Sequence, residues 1–230
     1  HDQAWGLVLS YGPPHDPYAA VPERYQELYR DAELTIRGNV PDMIMDRKDR
    51  YLSREEIAKN YRGYYAHITA LDEQFGRIIK TLELTGQLDQ TIVVYTADHG
   101  DMLGSHGLTN KQLPYAESVQ VPLLVHAPGQ INSGISHELI SLVDLPVSLM
   151  QLAGLKFDSP VDGRDLHRLF VDTDASGADT VYILDYVPCH QAYHRGSQEW
   201  RGIVTRRYTY ARSTDSRFCV LFDNELDHLQ

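Results

Sequence analysis

The stretch Tyr95-Thr96-Ala97-Asp98-His99-Gly100-Asp101-Met102-Leu103-Gly104-Ser105-His106-Gly107, with Lys111 after it, constrains this chain more than any other. Ahead of it, Thr91-Ile92-Val93-Val94-Tyr95 is short, apolar and rich in β-branched residues, the pattern of a buried strand. The sequence then turns abruptly to an acid, an imidazole and several glycines. In open α/β sheets, ligands sit outside the carboxyl ends of parallel strands. An aspartate oxygen and a histidine nitrogen side by side at such an end can reach one cation, and glycines let the backbone turn tightly around it. Asp98 and His99 therefore read as half of a metal site.

An Asp-His-Gly triplet is also a common turn, so its company decides. Tyr115 to Val125 followed by Ala127-Pro128-Gly129 reads as a second strand with its turn. Upstream, Gly6-Leu7-Val8-Leu9-Ser10-Tyr11 reads as another apolar strand, ending in Pro13-Pro14-His15-Asp16-Pro17-Tyr18. Polar residues thus recur at strand ends, as a shared pocket requires.

Between these strands the sequence predicts a long helix. Ser53-Arg54-Glu55-Glu56 is a capping-box pattern. Tyr61, Tyr64, Tyr65, Ile68, Leu71, Phe75, Ile78, Ile79 and Leu82 then recur at helical spacing as a core stripe, and Gly86 ends it. The helix leads into the strand at Thr91, a βαβ-like unit. Residues 31–50, charged and interrupted by Gly38 and Pro41, read as a surface insertion. A second apolar helix is expected over 146–153, with Asp144 near its start and Gly154 past its end, followed by connecting turns over 156–178. From Thr180 onward the pattern becomes strands rich in Val, Ile and Tyr.

These motifs, in this order, resemble a sulfatase of the alkaline phosphatase superfamily over nearly the whole chain. Pro14-His15-x-Pro17 resembles the family's strand-end histidine. Asp98-His99-Gly100 with Lys111 resembles its late metal-ligand pair and sulfate-contacting lysine. Val121 to Leu124 and Ser141 to Pro146 fit the following strand and helix. Trp200 to Tyr210 and Leu221 to Glu225 fit the closing antiparallel sheet. The resemblance implies an α/β fold: the C-terminal part of an alkaline phosphatase-like mixed sheet flanked by helices over 1–178, then a small antiparallel sheet and helix subdomain over 179–230.

The family's early Asp-Asp metal pair and its Cys-x-Pro-Ser-Arg motif, whose cysteine becomes the formylglycine nucleophile, do not occur in this sequence. The two cysteines, Cys189 and Cys219, stand in other contexts. The nucleophile is thus expected outside this chain, in an N-terminal portion of the same enzyme, and the chain reads as the C-terminal part.

The resemblance implies hydrolysis of a sulfate monoester, on a sulfated sugar among other options, with a divalent metal. Asp98 would be an anionic ligand. His99 would bind through a neutral ring nitrogen, so acid should weaken the metal. The family implies Ca2+, whereas an imidazole ligand better suits Zn2+ or Mn2+. Lys111 would place an ammonium against sulfate or leaving-group oxygen. His15 would donate to the same oxygens or protonate the leaving group. His106 reads as a loop-shaping residue, Asp101 has no assigned role, and Tyr115 and Glu117 are expected to orient Lys111 or its loop. His190, His194 and Trp200 could face substrate. Two further readings stay open: a phosphonate monoester or phosphodiester hydrolase of the same superfamily, and a folded but catalytically empty portion.

Composition narrows the partners. With 21 basic against 32 acidic residues the formal charge is −11, which argues against nucleic acid or an anionic membrane. No apolar run approaches the length of a bilayer span. Arg195, Arg201, Arg206, Arg207, Arg212 and Arg217 lie close together, either as a solvated sheet face or as a rim attracting an anionic substrate. Two cysteines make no disulfide framework and leave the compartment open; the resemblance implies a periplasmic or secreted setting.

Overall fold

A computed structural model describes residues 4–45, 51–172, 174–186 and 199–230. In chain order the elements are α1 (Glu23–Tyr29), β1 (Met43–Met45), β2 (Tyr51–Ser53), α2 (Arg54–Leu84), β3 (Val93–Thr96), α3 (Ala116–Val119), β4 (Leu123–His126), α4 (Leu145–Leu152), α5 (Arg168–Val171), β5 (Thr180–Asp185), β6 (Trp200–Thr205), β7 (Tyr208–Ser213) and β8 (Cys219–Asp223). Among the described residues they form a mixed α/β fold with three antiparallel sheets: β1-β2, β3-β4 and β5-β6-β7-β8.

The long helix begins where its capping box places it. Ser53 N donates to Glu56 Oε2 at 2.9 Å, and Glu56 N donates back to Ser53 Oγ at 3.3 Å. Past its end Gly86 has φ +66°, a left-handed turn that glycine takes without strain. Of the expected apolar stripe only Tyr61 and Leu82 are buried, Tyr61 packing with Ile57, Val40, Ile44 and Leu52. The rest is not core. Tyr65 and Ile68 are exposed, and Leu71, Phe75 and Ile78 line a wide open trough.

Three local expectations are corrected. Residues 6–11 carry no strand, and Leu7, Val8 and Leu9 are exposed on the trough wall, because no described strand offers them a ladder. β3 is half-buried, and its partner is β4, antiparallel, with Val93 opposite His126 and Thr96 opposite Leu123. The expected parallel βαβ geometry is therefore not seen among the described residues; a strand's own residues do not encode the direction of its neighbour. Residues 31–45 are more than a surface insertion, since Val40 and Ile44 are buried in the core and β1 pairs with β2. Residues 46–50 lie outside the described set.

Downstream, α4 starts with Pro146 in its first turn and ends before Gly154, at φ +72°. The expected turns over 156–178 also hold the short α5. The last sheet alternates strictly on β7: Thr209, Ala211 and Ser213 are buried while Tyr208, Tyr210 and Arg212 face outward. No helix accompanies this sheet among the described residues after 180, and none of the described helices is long and apolar enough to cross a membrane.

Candidate functional site

β3 delivers the chain to Asp98 and His99 at its carboxyl end. The glycine between them and Asp101 is there for space: a Cβ on Gly100 would stand 2.0 Å from the carbonyl oxygen of Glu117. That close approach lets Gly100 N donate to Ser118 O at 2.9 Å, tying the strand end to α3.

The following loop is tightly built. Leu103, His106, Asn110 and Gln112 all have positive φ, a costly conformation for non-glycine residues that persists only where surrounding contacts fix it. Those contacts are present. Met102, fully buried, donates its amide to Asn110 O at 2.7 Å. The His106 ring stacks on Tyr115 at 4.2 Å and bonds Asn39 Nδ2 through Nε2, so it shapes the loop as its sequence context suggested. Asn39 Nδ2 also donates to Glu117 Oε1 at 3.0 Å, and Arg37 pairs with the same oxygen at 3.1 Å. Burial pushes the Glu117 carboxyl up, but the Asn39 hydrogen bond and the Arg37 charge outweigh it and hold the group below its usual range. Tyr115 and Glu117 thus brace the loop through His106, Asn39 and Arg37.

Four residues from three parts of the chain come together. Lys111 Nζ lies 2.5 Å from His15 Nε2. His15 Nδ1 lies 2.8 Å from the Asp16 carbonyl oxygen and 3.0 Å from Asp16 Oδ1, so Nδ1 carries the proton and Nε2 accepts from the lysine. The His15 and His99 ring centroids are 6.5 Å apart. His99 Nδ1 lies 2.7 Å from Gly100 O, and its Nε2 stands 3.7 Å from Asp98 Oδ2. Asp98 keeps 87% of its side chain exposed and accepts the His99 amide at 3.0 Å.

The pair Asp98–His99 offers a metal an anionic oxygen and an imidazole lone pair facing each other. Among the described residues no group of three His, Cys, Asp or Glu side chains could hold an ion. The donor set therefore fits part of a coordination shell and needs further ligands to complete one.

Two residues that sequence reasoning passed over border this cluster. Tyr18 Oη donates to Asp101 Oδ2 at 2.7 Å, and Asp101 Oδ1 accepts Leu103 N at 3.0 Å. Burial, then the Asp101 charge, drive the Tyr18 phenol far above its ordinary pKa, so it keeps its proton and is the donor. Burial also raises the Asp101 carboxyl, and pushes the neighbouring Tyr64 phenol up to about 12. The only sequence signal for this pair was a tyrosine just past the His15 turn and an acid just past the Asp98 turn.

The remaining candidates behave differently. Trp200 is buried and donates Nε1–H to Gln112 O at 3.1 Å, anchoring the lysine loop to the last sheet. Arg206 pairs with Glu138, Arg207 with Asp223, Arg217 with Asp215, and Arg212 bonds Ser216. Most of the expected basic rim is thus engaged by local partners. Cys189, His190, His194 and Arg195 lie outside the described residues; Cys219 is an exposed free thiol.

One ammonium, two imidazoles and one exposed carboxylate thus stand together past the end of β3 in an alkaline phosphatase-like fold. Comparison with known proteins gives the family. The family model described as sulfatase matches residues 1–155, and that of the N-sulphoglucosamine sulphohydrolase C-terminal region matches residues 104–228. The chain belongs to the sulfatase family. It is 33% identical to an ulvan-active sulfatase of Formosa agariphila, over 100% of this chain and 43% of that protein. It is 32% identical to an endo-4-O-sulfatase of Bacteroides thetaiotaomicron, over 97% of this chain and 46% of that protein. The crystal structure of the sulfatase-family protein yidJ from Bacteroides fragilis superposes with a TM-score of 0.84 at 31% identity, covering 99% of this chain and 49% of that one. The chain thus spans less than half the length of these relatives.

Proposed function

We propose that this chain forms the C-terminal half of an enzyme that hydrolyses sulfate monoesters on a sulfated sugar. The observation that carries the reading is the meeting of Lys111 Nζ and His15 Nε2, brought from distant parts of the chain to one point beside Asp98 and His99. Cleaving a sulfate ester needs three things: an anion held, its charge offset, and a proton for the departing alkoxide. The Lys111 ammonium offsets sulfate charge. In the proposed step His15 Nε2 takes a proton from the Lys111 ammonium and passes it to the leaving oxygen as the S–O bond breaks. Asp16 holds the other ring nitrogen and fixes the face His15 presents.

Asp98 and His99 would hold a divalent cation together with ligands from a preceding N-terminal portion. Bound there, it would act as a Lewis acid on the sulfate. Ca2+ is the ion the family suggests, with Mn2+ or Zn2+ the alternatives for an imidazole donor. The nucleophile, a formylglycine in this reading, also belongs to that preceding portion. Sugar substrates are supported by the relatives: besides the ulvan-active enzyme, an N-acetylglucosamine-6-O-sulfatase of B. thetaiotaomicron is 34% identical over 58% of this chain. A phosphonate monoester hydrolase of Silicibacter pomeroyi shares the fold at 26% identity and a TM-score of 0.65, and supplies the second reading.

Steady-state assays test both. The longer protein should hydrolyse sulfated monosaccharides faster than phenyl phosphonates, and the isolated chain should turn over neither, since positioning alone does not replace a covalent nucleophile. A preference for the phosphonate would favour the second reading. Sulfate release by the purified isolated chain would overturn the two-part site.

A further inference from the structure

We infer that Tyr18 and Asp101 are positioning residues of this site: their hydrogen bond sets where His15 stands relative to Lys111. The inference rests on the proposal that His15 and Lys111 act on the substrate.

His15 and Lys111 sit on two separate excursions, the turn over residues 12–18 and the loop over residues 101–113. A few contacts hold these excursions at one distance. On one side the turn is pressed against α2. A Cβ on Gly63 would stand 2.3 Å from the Tyr18 carbonyl oxygen, and the Tyr64 ring meets the Tyr18 ring edge-on at 6.1 Å. On the other side the Tyr18 hydroxyl reaches across to Asp101 Oδ2 at 2.7 Å. Asp101 is itself locked into the second loop through Leu103 N, and the adjacent Met102 amide reaches Asn110, next to Lys111.

The path from helix to lysine therefore runs Gly63, Tyr18, Asp101, Met102, Asn110, Lys111. His15 stands on the same turn as Tyr18, with Nδ1 held by Asp16. A buried phenol–carboxylate pair is an expensive way to join two loops, because either group left without the other loses its hydrogen bond in a dry place. Its advantage over apolar packing is direction: a hydrogen bond fixes distance and angle, and apolar contact does not.

The test uses the longer enzyme with Tyr18→Phe, Asp101→Asn, Asp101→Ala and the double variant Tyr18→Phe/Asp101→Ala. Activity on one sulfate ester is followed together with 15N imidazole spectra of His15. Tyr18→Phe should lower kcat about 10- to 100-fold, the scale of a small misplacement, with KM changed far less. Asp101→Asn should keep most of kcat, because its amide can bond both Tyr18 Oη and Leu103 N. The double variant should be no worse than Asp101→Ala. In Tyr18→Phe, the His15 Nε2 signal should move toward that of an imidazole without the Lys111 contact.

Wild-type kcat in Tyr18→Phe overturns the inference, and so does a lower kcat with an unchanged His15 spectrum. Losses that track melting temperature across all variants, Asp101→Asn included, reduce the pair to a structural contact and overturn it too. The site reading fails separately, if His15→Ala turns over normally or the wild type cleaves no sulfate ester. In either case the His15 spectrum of Tyr18→Phe still decides whether the pair positions the imidazole.

Discussion

Asp144 and Asp98 each border a regular element, α4 in one case and β3 in the other, and their surroundings differ in every respect. Asp144 is 1% exposed and accepts from Ser141 N, from Arg164 N and from the Arg164 guanidinium, with the Arg164 amide at 2.8 Å. Ser148 completes the knot by donating to Asp144 O and accepting Leu166 N at 2.9 Å. Burial acts to raise the Asp144 carboxyl, and the Arg164 hydrogen bonds outweigh it and hold the group below its usual range. Asp98 accepts the His99 amide and keeps an open carboxylate. The first acid is used up in building the fold. The second has lone pairs to offer a ligand, and beside it stand His99, His15 and Lys111.

If that contrast is right, substitutions in the two regions should separate activity from stability. The largest effect belongs to the site. In the longer protein, Lys111→Ala should cost roughly 10²–10³ in turnover, about 3–4 kcal/mol, as expected for a preorganised charge facing developing negative charge. It should cost more than His99→Asn, whose carboxamide still offers an oxygen to a hard cation. Kinetics of both variants with metal in excess check the order, and the reverse order would make Lys111 a surface residue.

Next in size is Asp144→Ala. It strands the Arg164 guanidinium and the part-buried amides of Ser141 and Arg164, and should cost about 2–4 kcal/mol of stability by urea unfolding, with little direct effect on the chemistry. The acid dependence of that stability comes third. Asp144 has its folded-state pKa depressed, so its contribution is present above the ordinary carboxylate pKa and is lost as pH falls through the folded value. Unfolding measured from neutral to acid pH should show this loss in the wild type and a flatter profile in Asp144→Ala. Smallest is Asp98→Asn, which should change stability by no more than about 0.5 kcal/mol, since the side chain is open to solvent. A large destabilisation there would erase the comparison.

Much of this was legible in the sequence where the signal is local. The capping box at Ser53 and Glu56 and the glycines closing α2 and α4 lie where their chemistry puts them. The four-residue cluster was legible too, because each member follows an apolar run or a glycine-rich turn. What escaped depends on contacts between distant segments. Nothing in Val93 to Thr96 announces an antiparallel partner, nothing in residues 6–11 announces that Leu7 to Leu9 lack a ladder, and the charged residues around Val40 and Ile44 hide two core side chains. The Tyr18–Asp101 pair is invisible for the same reason: a tyrosine and an aspartate become partners only once α2 presses their loops together.

In the proposed function His15, Lys111, Asp98 and His99 serve one substrate anion. The most direct measurement is a structure of the longer protein with a slowly cleaved sulfate ester bound. Sulfate or leaving-group oxygens should lie within hydrogen-bond distance of both Lys111 Nζ and His15 Nε2, on the side where Asp98 and His99 stand. A sulfate group bound beyond reach of Lys111 and His15 would contradict it.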